Sequence, residues 1–172
     1  MSIVSLFRSS LHRLSFARVA LLAMAPLALH AQSNLPSAAD GFDPNVDGIV
    51  YAVAVQPDGK VLVAGKFTSL QPNGSGTAVS RNNLARLNPD GSVDASFNPN
   101  VNNQINALAL QPDGKIVIGG VFTSVSSSSR VCLARLNADG SLDASLNPTF
   151  ANQLSPAIYA LALQADGKIV VG

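Results

Sequence analysis

Three short runs of the chain alternate apolar side chains with a period of two: residues 50–55, 105–110 and 158–163. Strict alternation puts Val50, Ala52 and Ala54 on one face and Tyr51, Val53 and Val55 on the other. The second run sets Ile105, Ala107 and Ala109 against Asn106, Leu108 and Leu110, and the third sets Ile158, Ala160 and Ala162 against Tyr159, Leu161 and Leu163. Each run meets a turn: Gln56-Pro57-Asp58-Gly59-Lys60, Gln111-Pro112-Asp113-Gly114-Lys115 and Gln164-Ala165-Asp166-Gly167-Lys168. Asp-Gly supplies the backbone freedom of a tight turn, and proline stops the strand before it. Return strands rich in β-branched residues follow at 61–64, 116–119 and 169–171. The pattern therefore predicts three hairpins. Both faces of each first strand are apolar and one is lined with alanine, so each hairpin needs cover on two sides by a closely approaching neighbour.

The turns lie 55 and 53 residues apart, a period that suits several strands per repeat. Between them the units agree in detail. Gly65-Lys66-Phe67-Thr68-Ser69 matches Gly120-Val121-Phe122-Thr123-Ser124, with phenylalanine as a core plug and Gly65 and Gly120 marking a close approach or a bulge. Polar loops follow at about 70–82 and 125–130, and loops of this kind can bind ligands. A third strand is predicted over 83–88 and 132–137, where Leu-Ala-Arg-Leu-Asn recurs unchanged. Arg86 and Arg135 hold a fixed place in it, so each is expected to meet a carboxylate or backbone carbonyls, with snorkelling at the sheet edge as the alternative. The strand closes on Asn88-Pro89-Asp90-Gly91-Ser92 or Asn137-Ala138-Asp139-Gly140-Ser141, then leads into a short fourth strand or a crossover. The expected fold is all-β: a partial propeller-like array of antiparallel, blade-sized sheets, with two full repeats and a truncated third.

In this order and register the residues resemble the delta-60 repeat family. The resemblance rests on the alanine-alternating strand before Gln-Pro-Asp-Gly-Lys, the Gly and Phe-Thr that follow, Leu-Ala-Arg-Leu-Asn-Pro-Asp-Gly-Ser, and the later Asp and Phe, and it spans about 42–172. It implies arrays in large secreted or surface-associated bacterial proteins, with β-propeller-like blades and no catalytic residues attached. Ala165 departs from the turn proline, Leu146 stands where Phe97 would recur, and Gln153, Leu154, Ser155 and Pro156 lengthen the connection to the third hairpin. Propellers usually need four blades or more. The expected partners of this array are thus further repeats in cis or another copy in trans.

The first 31 residues read as a signal peptide: Arg8, Arg13 and Arg18, an apolar run over 19–29, and Leu29-His30-Ala31 at the cleavage position. The run is too short for a stable membrane span. Residues 32–41 are expected to be a flexible segment before the repeat region at 42–172. Removing the leader takes both histidines, and eight Lys or Arg remain against ten Asp, a net charge of about −2 with no Glu. That balance argues against a nucleic-acid surface. It also leaves no histidine for acid/base, triad or metal work. Cys132 is the sole cysteine and reads as a small strand hydrophobe.

The sequence thus points to a non-enzymatic module, secreted or in the cell envelope, whose loops contact protein or glycan. Two alternatives remain open. A glycan-acting enzyme would need facing carboxylates, yet Asp58, Asp113 and Asp166 recur in every unit as structural residues would. A calcium-stabilised propeller would draw on Asp90, Asp94, Asp139 and Asp143, although Asx-turn capping accounts for Asp90 and Asp139. No other cofactor is indicated. The remaining structural set is Gly59, Gly65, Phe67, Arg86, Gly114, Gly120, Phe122, Arg135 and Gly167.

Overall fold

The computed structural model describes residues 43–72, 76–149 and 157–172, together with the backbone of 29–30. Apart from 29–30, the expected signal peptide and segment 32–41 lie outside the described residues, as do Phe42 and the connection at 150–156. All described regular structure is β: β1 (Leu29–His30), β2 (Ile49–Val55), β3 (Val61–Lys66), β4 (Ser69–Leu70), β5 (Val79–Ser80), β6 (Leu84–Leu87), β7 (Ile105–Leu110), β8 (Ile116–Gly120), β9 (Ser124–Val125), β10 (Ser128–Ser129), β11 (Leu133–Leu136), β12 (Leu161–Leu163) and β13 (Ile169–Val171). The first repeat is the antiparallel sheet β2-β3-β6, with β1 paired to the outer side of β2. The second is β7-β8-β11, and β12-β13 is the start of a third. The array is all-β and propeller-like.

The hairpin turns are one structure used five times. In the first, Gln56 N–H donates to Lys60 O at 2.8 Å, Gly59 N–H donates to Gln56 O at 2.9 Å, and Gly59 has φ +82°. The turns at Gln111, Gln164, Asn88 and Asn137 repeat both bonds, with Gly114, Gly167, Gly91 and Gly140 between +83° and +91°. This is a three-residue loop, a type I turn followed by a left-handed glycine, rather than a two-residue Asp-Gly turn. Proline suits its first position because the fixed φ is already correct. The three Gln-to-Lys corners therefore share one backbone geometry.

The faces of the first strands differ from strict alternation. Val50 pairs with Gly65, but Ala52 pairs with Ala64, so Tyr51 is an extra residue in a β-bulge; the same shift falls between Ile105 and Ala107. The bulge moves Val50 off the alanine face, into a cluster with Val63, Phe67, Leu70, Ala85 and Leu87. Gly65 and Gly120 sit opposite the bulges, where a Cβ would collide with the carbonyl oxygens of Ile49 and Gln104. A side chain cannot fit there.

The polar loops are partly regular. β4 pairs with β5, β9 pairs with β10, and their inner residues Leu70 and Val125 are fully buried. These ribbons are bridged to the entering chain at Val46↔Leu70 and Val101↔Val125. The fourth strand shrinks to one bridge per repeat, Leu87↔Val93 and Leu136↔Leu142. Cys132 is not in a strand. It is buried just before β11 in left-handed backbone at φ +61°, the place Asn83 (φ +62°) takes in the first repeat.

The repeats stack through a shared core. Leu62, Ala64 and Leu84 of the first sheet meet Ile116, Ile118, Ala134 and Leu136 of the second, with Phe97, Val101, Ile105, Phe122 and Val125 between or beside them. Alanines at 52 and 64 allow the close approach. A second interface follows, where Val117 and Leu133 meet Ile158, Leu161, Leu163 and Ile169. Its counterpart of Ala64 is Gly119, where a Cβ would meet Ile158 Cγ2 at 2.5 Å.

Candidate functional site

The strand directions sort the polar residues into two ends. At one end the five turns gather: a Cβ on Gly59 would lie 3.4 Å from Pro89, and one on Gly114 would lie 3.7 Å from Ala138. At the other end stand the ribbons β4-β5 and β9-β10. The chemistry of the two ends differs.

The turn end holds a repeated ion network. Lys60 Nζ and Arg86 Nε both donate to Asp94 Oδ2, at 3.0 and 2.9 Å, and the N–H and hydroxyl of Ser96 donate to Asp94 Oδ1. In the second repeat Lys115 and Arg135 donate to Asp143 Oδ2, each at 2.8 Å, and Ser145 takes the Ser96 role. Burial pushes the Asp94 carboxyl up, but the bonds from Ser96, Lys60 and Arg86 outweigh it and hold the group well below the usual carboxylate range. The Lys115 bond, with Ser145 and Arg135, does the same for Asp143. The third hairpin has no such aspartate beside it among the described residues, and Lys168 pairs instead with Asp166 of its own turn at 2.5 Å.

Arg86 also joins the repeats. Its Nη1 donates to Ala138 O of the second repeat at 2.5 Å, and its guanidinium lies 4.4 Å from the centre of the Phe97 ring. Phe97 is fully buried, and its ring edge sits where a Cβ on Gly140 would be, at 2.8 Å. Thus arginine, ring and glycine form a joint between one repeat and the turn of the next. Arg135 instead reaches Ser145 Oγ at 2.8 Å, and its side chain is 20% exposed against 7% for Arg86.

The turn aspartates are used locally. Asp58, Asp113 and Asp166 accept from the N–H of Lys60, Lys115 and Lys168, and Asp90 and Asp139 accept from the N–H and hydroxyl of Ser92 and Ser141. As for calcium, a cation at Asp94 or Asp143 would have to displace one ammonium and one guanidinium, and the described residues contain no group of three or more His, Cys, Asp or Glu that could hold a metal ion. Phe67 is buried in the cluster behind the first sheet, and Phe122 in the core shared by the first two repeats.

Several working residues escape a reading of the sequence alone. Arg81, buried, donates through Nε to Phe97 O at 3.1 Å and through Nη2 to Asp94 O and Ala95 O, pinning the crossover. Arg130 takes its place in the second repeat, yet its buried Nε has no partner among the described residues. At the ribbon end Asp47 accepts from the N–H and hydroxyl of both Thr68 and Ser69, and Asn102 accepts from the N–H of Thr123 and Ser124. Burial raises the Asp47 carboxyl, but these bonds outweigh it and lower it. The signal for Asp47 and Asn102 was available, since they recur at the 55-residue offset opposite the repeated Thr-Ser.

Two segments of the chain, 56–97 and 111–146, match the model of a family described as a β-propeller domain of unknown function, DUF5122. The repeats are β-propeller-like. No curated protein matches the chain. The matched segments of these propeller-like repeats run from the Gln turn through the arginine strand to Phe97 or Leu146, so they contain the whole ion network. The network is thus part of how the first two repeats are built.

Proposed function

We propose that the chain is a scaffold of delta-60-type repeats, secreted or held in the cell envelope, that acts without catalysis and contacts protein or glycan through its ribbon end. The observation that carries this reading is the division between the two ends. Carboxylates at the turn end are committed to turns and ion pairs that recur from repeat to repeat, and an active site is rarely built twice in one chain. Apart from Asp47, whose carboxylate is taken up by Thr68 and Ser69, the ribbon end presents uncharged hydrogen-bonding groups: Ser80, Asn103, Thr123 and residues 126–129 are exposed there. Hydroxyl and amide groups on a rigid base suit the hydroxyls of a glycan or the backbone of a protein. The test is co-sedimentation of the purified chain with insoluble polysaccharides and with a cell-envelope fraction. Retention should weaken when Asn103 and Ser128 are both changed to Ala and should persist with Asp58→Asn at the turn end. No retention, or retention indifferent to the ribbon-end changes, would overturn the proposal.

A further inference from the structure

Every sheet of the array has a forward face and a rear face. The forward face of the first sheet, with Ala52, Leu62 and Ala64, packs on the rear face of the second, with Leu108, Ile116 and Ile118. The forward face of the second, with Val117 and Leu133, packs on Leu161, Leu163 and Ile169 at the rear of the third hairpin. Both interfaces run in the same direction. Among the described residues two half-interfaces are left uncovered. At the rear of the first sheet Val53 is 55% and Val55 65% exposed, whereas their counterparts Leu108 and Leu110 pack into the shared core. At the front of the third hairpin Val170 is 48% exposed, with Ala160 and Ala162 open beside it, whereas its counterparts Leu62 and Val117 are fully buried.

We propose that the chain binds a second copy of itself head to tail, the front of the third hairpin in one copy seating on the rear of the first sheet in the next. The two surfaces are the separated halves of an interface the chain already makes twice: alanines and a valine on one side, Val53 and Val55 on the other, with no charge among these residues. Continuity with the internal interfaces thus names the occupant. A forward face accepts a rear face and not another forward face, so the contact is heterologous and extends to a chain or closes into a ring. Being intermolecular, the joint between copies forms in a concentration-dependent way. This proposal is independent of what the ribbon end binds.

Sedimentation equilibrium of the full chain over a concentration series provides the test. The mass should rise above that of a monomer. Val53→Asp, which blocks only the rear face, and Val170→Asp, which blocks only the front, should each remain monomeric when alone. Mixed in equal amounts they should form a heterodimer that grows no further, since one intact front meets one intact rear. Because both residues are exposed, each variant should keep the unfolding midpoint of the parent; Val55→Asp and Ala162→Asp serve as the second pair if one does not. A chain that stays monomeric at every concentration, a single variant that assembles like the parent, or a mixture of folded variants that stays monomeric would overturn the proposal.

Discussion

Replacing Gly140 with alanine tests how the first two repeats are joined. A Cβ at Gly140 would lie 2.8 Å from Phe97 Cδ2 and 2.9 Å from Cε2, and the backbone there has φ +91°. Two costs follow. Left-handed backbone strains an L-residue by about 1–2 kcal/mol, and forcing a methyl group against a packed ring adds about 1–3 kcal/mol. Gly114 separates them, because it has φ +83° but its Cβ would meet nothing nearer than Ala138 Cβ at 3.7 Å. Gly114→Ala should therefore cost only the backbone part, about 1–2 kcal/mol, and Gly140→Ala about 2–5 kcal/mol in all. Phe97→Leu, which introduces the residue found at position 146, should remove the collision and leave the strain. Adding it to Gly140→Ala should recover about 1–3 kcal/mol relative to additivity. Equilibrium urea unfolding, compared at constant slope, reads all four variants. Equal costs at Gly114 and Gly140, or no coupling with Phe97, would refute the idea that Phe97 is fitted beneath the turn of the following repeat.

Further outcomes test the polar framework. Asp94→Asn should cost about 3 kcal/mol at neutral pH, because it leaves the Arg86 guanidinium buried without its carboxylate; Asp143→Asn should cost less, since Arg135 is better hydrated. Folding holds the Asp94 and Asp143 carboxyls below the ordinary aspartate range of about 4, so their stabilisation is fully present above that range and is lost as the pH falls through the lower folded values. Urea midpoints should drop in that acid range, and Asp94→Asn should flatten the drop; an unchanged profile would show that the pair does not link protonation to folding. Asn83→Ala should cost about 2–4 kcal/mol, the sum of a lost buried bond to Val101 O and a left-handed alanine. A melting temperature within a degree of the parent would count against both contributions.

Much of the architecture is legible in the sequence because turn chemistry is local. Pro-Asp-Gly needs only its own backbone to form, and its recurrence sets the register of the hairpins. The bulges were hidden for a physical reason: in a strand apolar on both faces, an extra residue leaves no break in the hydrophobic pattern. Gly65 and Gly120 carried the hint, since glycine opposite a strand marks a close approach. Cys132 was misplaced because Val131 and Leu133 read as strand, whereas aligning the repeats sets it against Asn83, and asparagine is the residue that tolerates left-handed backbone. The role of Asp94 was out of reach for another reason. Its lysine partner is 34 residues away, and only the fold brings Lys60 and Arg86 to the same oxygen.

Where the two repeats agree, the shared residue has a constructional role: turn, plug, ion pair or cap. What distinguishes this array must then sit where equivalent positions differ. Tyr51, Asn106 and Tyr159 occupy one bulge position, and Asn106 alone among them is shown donating from its side chain to the next repeat, to Ile158 O at 2.8 Å. Asp47 and Asn102 cap the same Thr-Ser with different charge. The ribbon after β4 is longer than the ribbon after β9, so the two repeats present different outlines at that end. Variation of this kind on a fixed frame is how a repeat protein acquires selectivity without altering its core. On the proposed function, substitutions that alter binding should therefore fall at the ribbon end, and those that alter folding at the turn end and between the sheets.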